Sequence, residues 1–258
     1  MALRKSVSMV AWFNLLTGIG MIAVGLAAVF LWRRRAGFEY FWFGAMLWAV
    51  AIAIKLAMDF TVSPQLKGLV PASFLGVLAL GLYYGLRTGI FESGIPYVAF
   101  RLAGKAPTFD QAVAVGIGAG AAEAIVLGLL SLLSVTAFIL MPGLVSSYPP
   151  DTQATLQMQF SPAFVPVPIW ERLFTLFCHV FAMALALLAV RAGPRWLLLS
   201  VAFMALLDGM LIPLLQYVTT RTYVDNLVIE AYVGAMGLVA IAGLFWLKKR
   251  YSAYVPQA

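Results

Sequence analysis

The chain has 258 residues, enough for one domain or two, and 63% of them are apolar while only 10% are charged. A soluble domain has about 45–50% apolar and 25% charged residues, so lipid must be the solvent for much of this chain. This composition excludes a disordered or collagen-like chain, and the single cysteine, Cys178, excludes an internal disulfide. We attribute the net charge of +7 to the Lys and Arg residues that collect in the cytoplasmic loops of membrane proteins, and we predict no nucleic-acid partner.

Seven apolar stretches are long enough to cross a bilayer, which takes about 20 mostly apolar residues. We therefore predict an all-α, polytopic membrane helix bundle in which residues 1–258 form a single integral membrane domain. The predicted spans are Val7 to Trp32, Tyr40 to Phe60, Leu69 to Phe91 with an open continuation past Pro96, Gln111 to Leu140, Ile169 to Val190, Trp196 to Tyr217, and Val228 to Leu247.

The cations between these spans predict the orientation of the chain. Seven spans place the N-terminus and the C-terminus on opposite sides. One side would hold Arg33, Arg34, Arg35, Arg101, Lys105, Arg191, Arg195, Lys248, Lys249 and Arg250, and the other Arg4, Lys5, Lys67 and Arg221. Because cytoplasmic loops are rich in Lys and Arg, we expect a cytoplasmic C-terminus and an outside N-terminus, in the plasma membrane.

The longest connection between spans runs from Met141 to Pro168. It carries no Lys or Arg and contains Pro142, Pro149, Pro150, Pro162, Pro166 and Pro168. Because proline interrupts helices, we expect an ordered or semi-extended cap on the outer side rather than a helix.

Charged and polar side chains inside the spans are costly, and they normally face the protein interior and pair there. The cations are Lys55, Arg87 and Arg172, the acids are Asp59, Glu92, Glu123, Glu171, Asp208 and Glu230, and His179 is the only histidine. One interpretation is structural: Lys55 would pair with Asp59 one turn away, and Arg172 with a nearby acid. The other is that Glu92, Glu123, His179 and Asp208 form a functional site.

Small residues recur every four positions in the third and fourth spans, at Gly81, Gly85, Gly89 and Ser93 and at Gly116, Gly120, Ala124 and Gly128. Such stripes allow close helix packing. Glu92 and Glu123 each lie three residues after a glycine of a stripe, so we expect both at the edge of one tight interface.

Carboxylates that converge with an imidazole in a dry interior could share a proton, hold a cation or activate water. We predict no cofactor, although a divalent metal on Glu92, Glu123, His179 and Asp208 stays open, as does a pigment ligated by His179 alone. The sequence has no HExxH motif, no Walker loop and no dinucleotide-binding fingerprint.

Four segments carry a family resemblance. They are Gly89-Ile90-Phe91-Glu92-Ser93 with Arg101 downstream, Gly116 to Ala124 including Glu123, Glu171-Arg172 followed by His179, and Ala205-Leu206-Leu207-Asp208. In this order they resemble the YhfC-type intramembrane proteases, relatives of the CAAX-processing glutamic proteases, from roughly Phe41 to Phe245. The resemblance implies catalytic positions at Glu92, Glu123, His179 and Asp208, supported by the polar residues Glu171 and Arg172.

By that resemblance, Glu92 would activate water and histidines would stabilise the oxyanion. The sequence departs from the family pattern at four polar positions, which here are Ser93, Pro96, Ala119 and Met204. Losing one oxyanion donor can lower the rate about 10²–10³-fold. We therefore expect a degenerate member, a pseudoenzyme in which hydrolysis is largely lost.

The predicted function is that of a binding or scaffold subunit in the membrane, partnered by lipids and by transmembrane chains of a larger complex. Two alternatives remain. The first is an active intramembrane endopeptidase that uses Glu92 and His179. The second is a small transporter or ion carrier that uses Glu92, Glu123 and Asp208.

Overall fold

The computed structural model describes residues 10–218 and 222–254, with side chains described as far as Tyr251. These residues are helical throughout apart from short connections. The α-helices are α1 (Leu15–Trp32), α2 (Phe38–Leu69), α3 (Phe74–Leu102), α4 (Phe109–Leu140), α5 (Gly143–Ser146), α6 (Pro150–Gln159), α7 (Pro166–Ala192), α8 (Arg195–Gly209), α9 (Leu211–Tyr217) and α10 (Tyr223–Tyr254).

Seven helical segments of the described chain are long and apolar enough to cross a membrane, which confirms the predicted all-α membrane bundle. Residues 7–9 of the first predicted span lie outside the described residues. The second and last spans are longer than predicted: α2 continues through Pro64 to Leu69, and α10 extends over Tyr223–Tyr254. The third span does continue past Pro96, to Leu102. Neighbouring helices allow a proline inside a membrane helix, and Pro96 is fully buried.

Helix α7 forms the centre of the bundle. It packs against α4, α10, α8, α1 and α3. In the most apolar 18-residue segment of this span, 78% of the segment is buried inside the protein. Every residue from Val180 to Ala189 is apolar and buried, so this half of the helix faces other helices on all sides. A helix that is apolar all round is typical of such a central position.

The two ends of the bundle differ in charge. The connections that follow α1 and α3 contain Arg33, Arg34, Arg35 and Lys105. At the same end of the bundle, Arg195 begins α8 and Lys248 lies near the end of α10. We call this end the arginine face. The opposite end, which contains the connection from Met141 to Val165, is called the loop face. The cytoplasmic assignment of the arginine face stays a prediction.

The stripes of small residues pack against different helices. A Cβ added at Gly81 of α3 would lie 2.6 Å from the backbone oxygen of Gly209, at the end of α8. A Cβ added at Gly120 of α4 would lie 3.1 Å from the Cα of Leu176 in α7. The expectation that both glutamates lie at the edge of one interface is therefore wrong: the stripe of α3 approaches α8, whereas that of α4 approaches α7 at Gly120 and α1 at Gly128.

The expectation of a non-helical cap between Met141 and Pro168 is also wrong, because α6 occupies Pro150–Gln159. Pro150 stands in the first turn of α6, where no backbone N–H is needed, and Asp151 complements the helix dipole there. The next proline is Pro162, so nothing interrupts the helix before Gln159. The prolines of this connection thus lie at the ends of a helix and do not prevent it from forming.

The sixth span is divided at Met210 into α8 and α9. Asp208 lies in the last turn of α8, just before the division, and the buried Pro213 lies in α9. Proline at this position cannot donate a backbone hydrogen bond to the preceding turn, which accounts for the break.

We predict that Gly81→Leu lowers the melting temperature of the protein in detergent. The new side chain would meet backbone rather than a movable side chain, and such overpacking costs about 1–3 kcal/mol. Gly94→Leu on the same helix is the matched control, because a Cβ at Gly94 meets nothing within 4 Å. Equal melting temperatures for the two variants would contradict the close α3–α8 packing.

Candidate functional site

Three of the predicted site residues meet near the middle of the bundle, each from a different helix. His179 of α7 lies between two carboxylates: its Nε2 is 2.5 Å from Oε2 of Glu123 in α4, and its Nδ1 is 3.5 Å from Oε2 of Glu92 in α3. The side chains of His179 and Glu92 are 7% and 8% exposed. The imidazole therefore joins α3 and α4 across the central helix.

The fourth predicted residue, Asp208, reaches the same network through α2 and α3. Lys55 Nζ lies 2.5 Å from Oε1 of Glu92 and donates a hydrogen bond of 3.3 Å to Oγ1 of Thr88. Thr88 in turn donates to Oδ2 of Asp208 at 2.6 Å. The structure thus brings Glu92, Glu123, His179 and Asp208 into one connected cluster, whereas their catalytic assignment stays a prediction.

Arg172 closes the network toward the loop face. Its guanidinium donates to Oε1 of Glu123 and to Oε1 of the adjacent Glu171. The predicted pairing of Arg172 with a nearby acid is therefore confirmed. Because Glu123 contacts Arg172 through one oxygen and His179 through the other, both of its oxygens have a partner.

The predicted pairing of Lys55 with Asp59 is wrong. Lys55 pairs with Glu92, while Asp59 accepts hydrogen bonds from Arg87 Nη1 at 2.5 Å and from Ser63 Oγ at 3.0 Å. The side chain of Asp59 is 38% exposed and that of Glu92 only 8%. A buried ammonium is stabilised only by a partner that is well placed in the same dry environment, and Glu92 supplies it.

The positions at which the sequence departs from the family pattern are all buried. Ser200 Oγ lies 2.7 Å from Oγ of Ser93 and 2.6 Å from the backbone oxygen of Ala182, so its one hydroxyl proton is shared between these two neighbours. Ala119 and Met204 pack in the hydrophobic core. None of these side chains adds a donor to the charged network, and those of Ala119 and Met204 have none to offer.

Sequence reasoning missed Thr88 and misjudged the partner of Lys55. Thr88 is four residues before Glu92, so the two share a face of α3, and this spacing could have identified it. No sequence signal identifies the partner of Lys55, because it lies on another helix. The cluster therefore contains two polar side chains beyond the predicted set.

A divalent metal needs three or more protein ligands whose lone pairs converge on one point. In the described part of the chain, no group of three His, Cys, Asp or Glu side chains has that arrangement. Glu123 directs its oxygens to Arg172 and His179, and Glu92 directs one oxygen to Lys55. With cations already at these carboxylates, the residues do not fit a metal site.

One buried carboxylate oxygen of the cluster is not used in its hydrogen bonds. Oε2 of Glu92 is buried and has no hydrogen-bond partner among the described residues, although His179 Nδ1 lies 3.5 Å away. A buried carboxylate oxygen beside an imidazole nitrogen can accept a proton or hold a polar guest. The other oxygen of Glu92 is bound to Lys55, so only this side of the carboxylate is open.

We predict strong coupling between Lys55 and Glu92 in a double-mutant cycle measured by unfolding in detergent. Lys55→Met or Glu92→Gln alone leaves a buried charge unpaired, which costs about 3–5 kcal/mol. The double variant should lose clearly less than the sum of the two. The more exposed pair of Arg87 and Asp59, changed to Met and Asn, is the control and should show weaker coupling. Additive losses for Lys55 and Glu92 would contradict the ion pair.

The comparisons with known proteins identify a family for this chain. The model of the family described as YhfC intramembrane metalloprotease matches residues 20–233, a segment that includes Glu92, Glu123, His179 and Asp208. No curated protein and no solved structure gives a significant match. Since the matched segment covers most of the chain, the protein belongs to the YhfC intramembrane metalloprotease family.

Proposed function

We propose that this chain keeps the membrane fold of the YhfC family without hydrolysing peptides, and that it acts by binding another membrane component. The observation that carries the proposal is the pairing of both central carboxylates with fixed cations. Glu92 is held by Lys55 and Glu123 by Arg172, in the part of the site where a hydrolase needs a free base.

Peptide hydrolysis requires a base that takes a proton from water and donors that stabilise the oxyanion. Lys55 contacts one oxygen of Glu92, and Arg172 and His179 contact the two oxygens of Glu123, so few of these oxygens are free to take a proton from water. The family name implies a metal, but Lys55 and Arg172 each contact one oxygen of the two central carboxylates that could bind it. The absence of donors at Ala119 and Met204 lowers the expected rate further, about 10²–10³-fold for each oxyanion donor lost.

The network then has a structural role. It links α2 and α3 through Lys55 and Glu92, α4 and α7 through Glu123 and His179, and α3 and α8 through Thr88 and Asp208. Removing one member of a buried network leaves the others unpaired, so such a network favours a single arrangement of helices. This property suits a scaffold.

A cavity between α7 and α10 offers a binding surface. It has a volume of about 730 Å³ and is lined mainly by apolar side chains, among them Trp170 and Phe174. Glu230 of α10 also lines it, and Oε2 of Glu230 is buried without a hydrogen-bond partner among the described residues. We propose that a transmembrane helix of another chain packs here and donates a hydrogen bond to Glu230.

One observation favours a second candidate, the active endopeptidase. Oε2 of Glu92 has no hydrogen-bond partner among the described residues and lies beside Nδ1 of His179, which is where a hydrolase would hold a reacting water. In this candidate Glu92 is the base, and Lys55 orients it.

The arrangement of charges does not favour a transporter. A relay across the membrane needs polar groups in both halves of the bundle. Arg172 and Glu171 extend the network from His179 toward the loop face, whereas α7 is apolar from Val180 to Ala189 toward the arginine face. The chain is a membrane protein, and we place it in the plasma membrane as part of the proposal.

We predict that the purified protein does not cleave transmembrane peptides. It should also contain less than one equivalent of zinc, manganese or iron by elemental analysis, and chelators should not change its melting temperature. The control is Glu92→Gln, which should leave the background signal unchanged. Cleavage that Glu92→Gln abolishes would overturn the proposal and support the second candidate, as would a stoichiometric metal whose removal lowers the melting temperature.

We also predict that a photo-cross-linking residue at Ala231, which lines the α7–α10 cavity, captures a defined protein chain in the native membrane. The matched control is the same residue at Leu206, which is 51% exposed on α8 and lies away from this cavity. Gly234→Trp should fill the cavity and abolish the cross-link. Equal capture at both positions, or capture that survives Gly234→Trp, would contradict binding in the cavity.

A further inference from the structure

A second cavity lies between α1 and α10, on the arginine-face side of the first. It has a volume of about 520 Å³, and its wall is almost entirely apolar, with Val113, Ile117 and Val180 at its base. The two cavities adjoin at Val24 and Leu173, which line both. Volumes of this size are typical of pockets that hold small-molecule ligands.

Two cations line the same cavity at the arginine face. They are Arg35, which follows α1, and Lys248, near the end of α10, and both are exposed. The guanidinium of Arg35 lies 4.3 Å from the ring centroid of Trp32, and the indole of Trp32 donates a hydrogen bond of 3.1 Å to the backbone oxygen of Asp110. Arg35 therefore rests on a ring that is itself fixed to α4.

The cavity spans most of the thickness of one lipid leaflet. From Trp32 to Val24 along α1 the distance is about 12 Å, at 1.5 Å per residue. Half of the hydrocarbon core of a bilayer is about 15 Å. An acyl chain whose head group lies at Arg35 and Lys248 would thus follow α1 along the apolar wall.

We propose that this cavity is a binding site for an anionic phospholipid, whose phosphate pairs with Arg35 and Lys248 and whose acyl chain lies between α1 and α10. The charge at one end and the apolar wall behind it match the two parts of such a lipid. Basic pockets between membrane helices bind anionic head groups in this way. The site is separate from the charged network and does not depend on the absence of catalysis.

The test is native mass spectrometry of the delipidated protein with phosphatidylglycerol or phosphatidylcholine carrying the same acyl chains. We expect one phosphatidylglycerol to bind more tightly than phosphatidylcholine. The double variant Arg35→Gln, Lys248→Gln should weaken phosphatidylglycerol binding about thirtyfold, the effect expected of two cations near a membrane surface. The matched control is Arg33→Gln, Arg250→Gln, which removes the same charge from residues that do not line the cavity and should leave binding unchanged.

The apolar wall is tested separately. Ala27→Phe places a ring in the cavity without changing charge and should weaken binding, while Ala23→Phe on the same helix, outside the cavity wall, should not. Soluble glycerol phosphate should fail to displace the lipid.

Three results would overturn the proposal: equal affinity for the two lipids, equal losses in the two double variants, or no effect of Ala27→Phe. Displacement by glycerol phosphate would also overturn it, by indicating a site for free anions. Photo-cross-linking at Ala27 that captures a protein chain instead of lipid would likewise reject it and assign the cavity to a partner helix.

Discussion

The cost of a charge in a hydrocarbon environment governs the centre of this protein. Lys55, Glu92, Glu123 and Arg172 lie on different helices, and each would be expensive to bury alone. Their pairing, with His179 between the two glutamates, offsets that cost only when α2, α3, α4 and α7 lie in one arrangement. The same pairing uses both oxygens of Glu123 and one oxygen of Glu92, which links the stability of the fold to the proposed loss of catalysis.

Close packing complements this network. The small residues of α3 allow the backbone of α8 to approach, and those of α4 allow α7 to approach. These approaches bring Thr88 within 2.6 Å of Asp208 and His179 within 2.5 Å of Glu123. A larger residue in either stripe would separate the helices and lengthen these hydrogen bonds. The glycines and the charged residues therefore depend on each other.

The edge of the bundle has a different character from its centre. α1 and α10 both pack on α7, yet two adjoining cavities remain at this edge, one between α7 and α10 and the other between α1 and α10. In one cavity, an oxygen of Glu230 has no hydrogen-bond partner within the described part of the chain, and the other cavity is lined by Arg35 and Lys248 at the arginine face. A protein whose centre is closed by ion pairs can interact with its surroundings through such lateral cavities. This contrast supports a binding role rather than chemistry in the interior.

The sequence by itself determined the class of the fold, the number of spans and the residues that had to avoid lipid. These follow from composition and from runs of apolar residues, which are local properties. It also identified Glu92, Glu123, His179 and Asp208 as a set.

Only the tertiary structure decided the partners: Lys55 pairs with Glu92 instead of Asp59, and the stripes of α3 and α4 pack on α8 and α7 instead of sharing an interface. The number of prolines between Met141 and Pro168 predicted no helix there. The structure has one at Pro150–Gln159, because these prolines lie outside it or in its first turn. Helical spacing tells which residues share a face of one helix, but the neighbour of that face is set by how all the helices pack together.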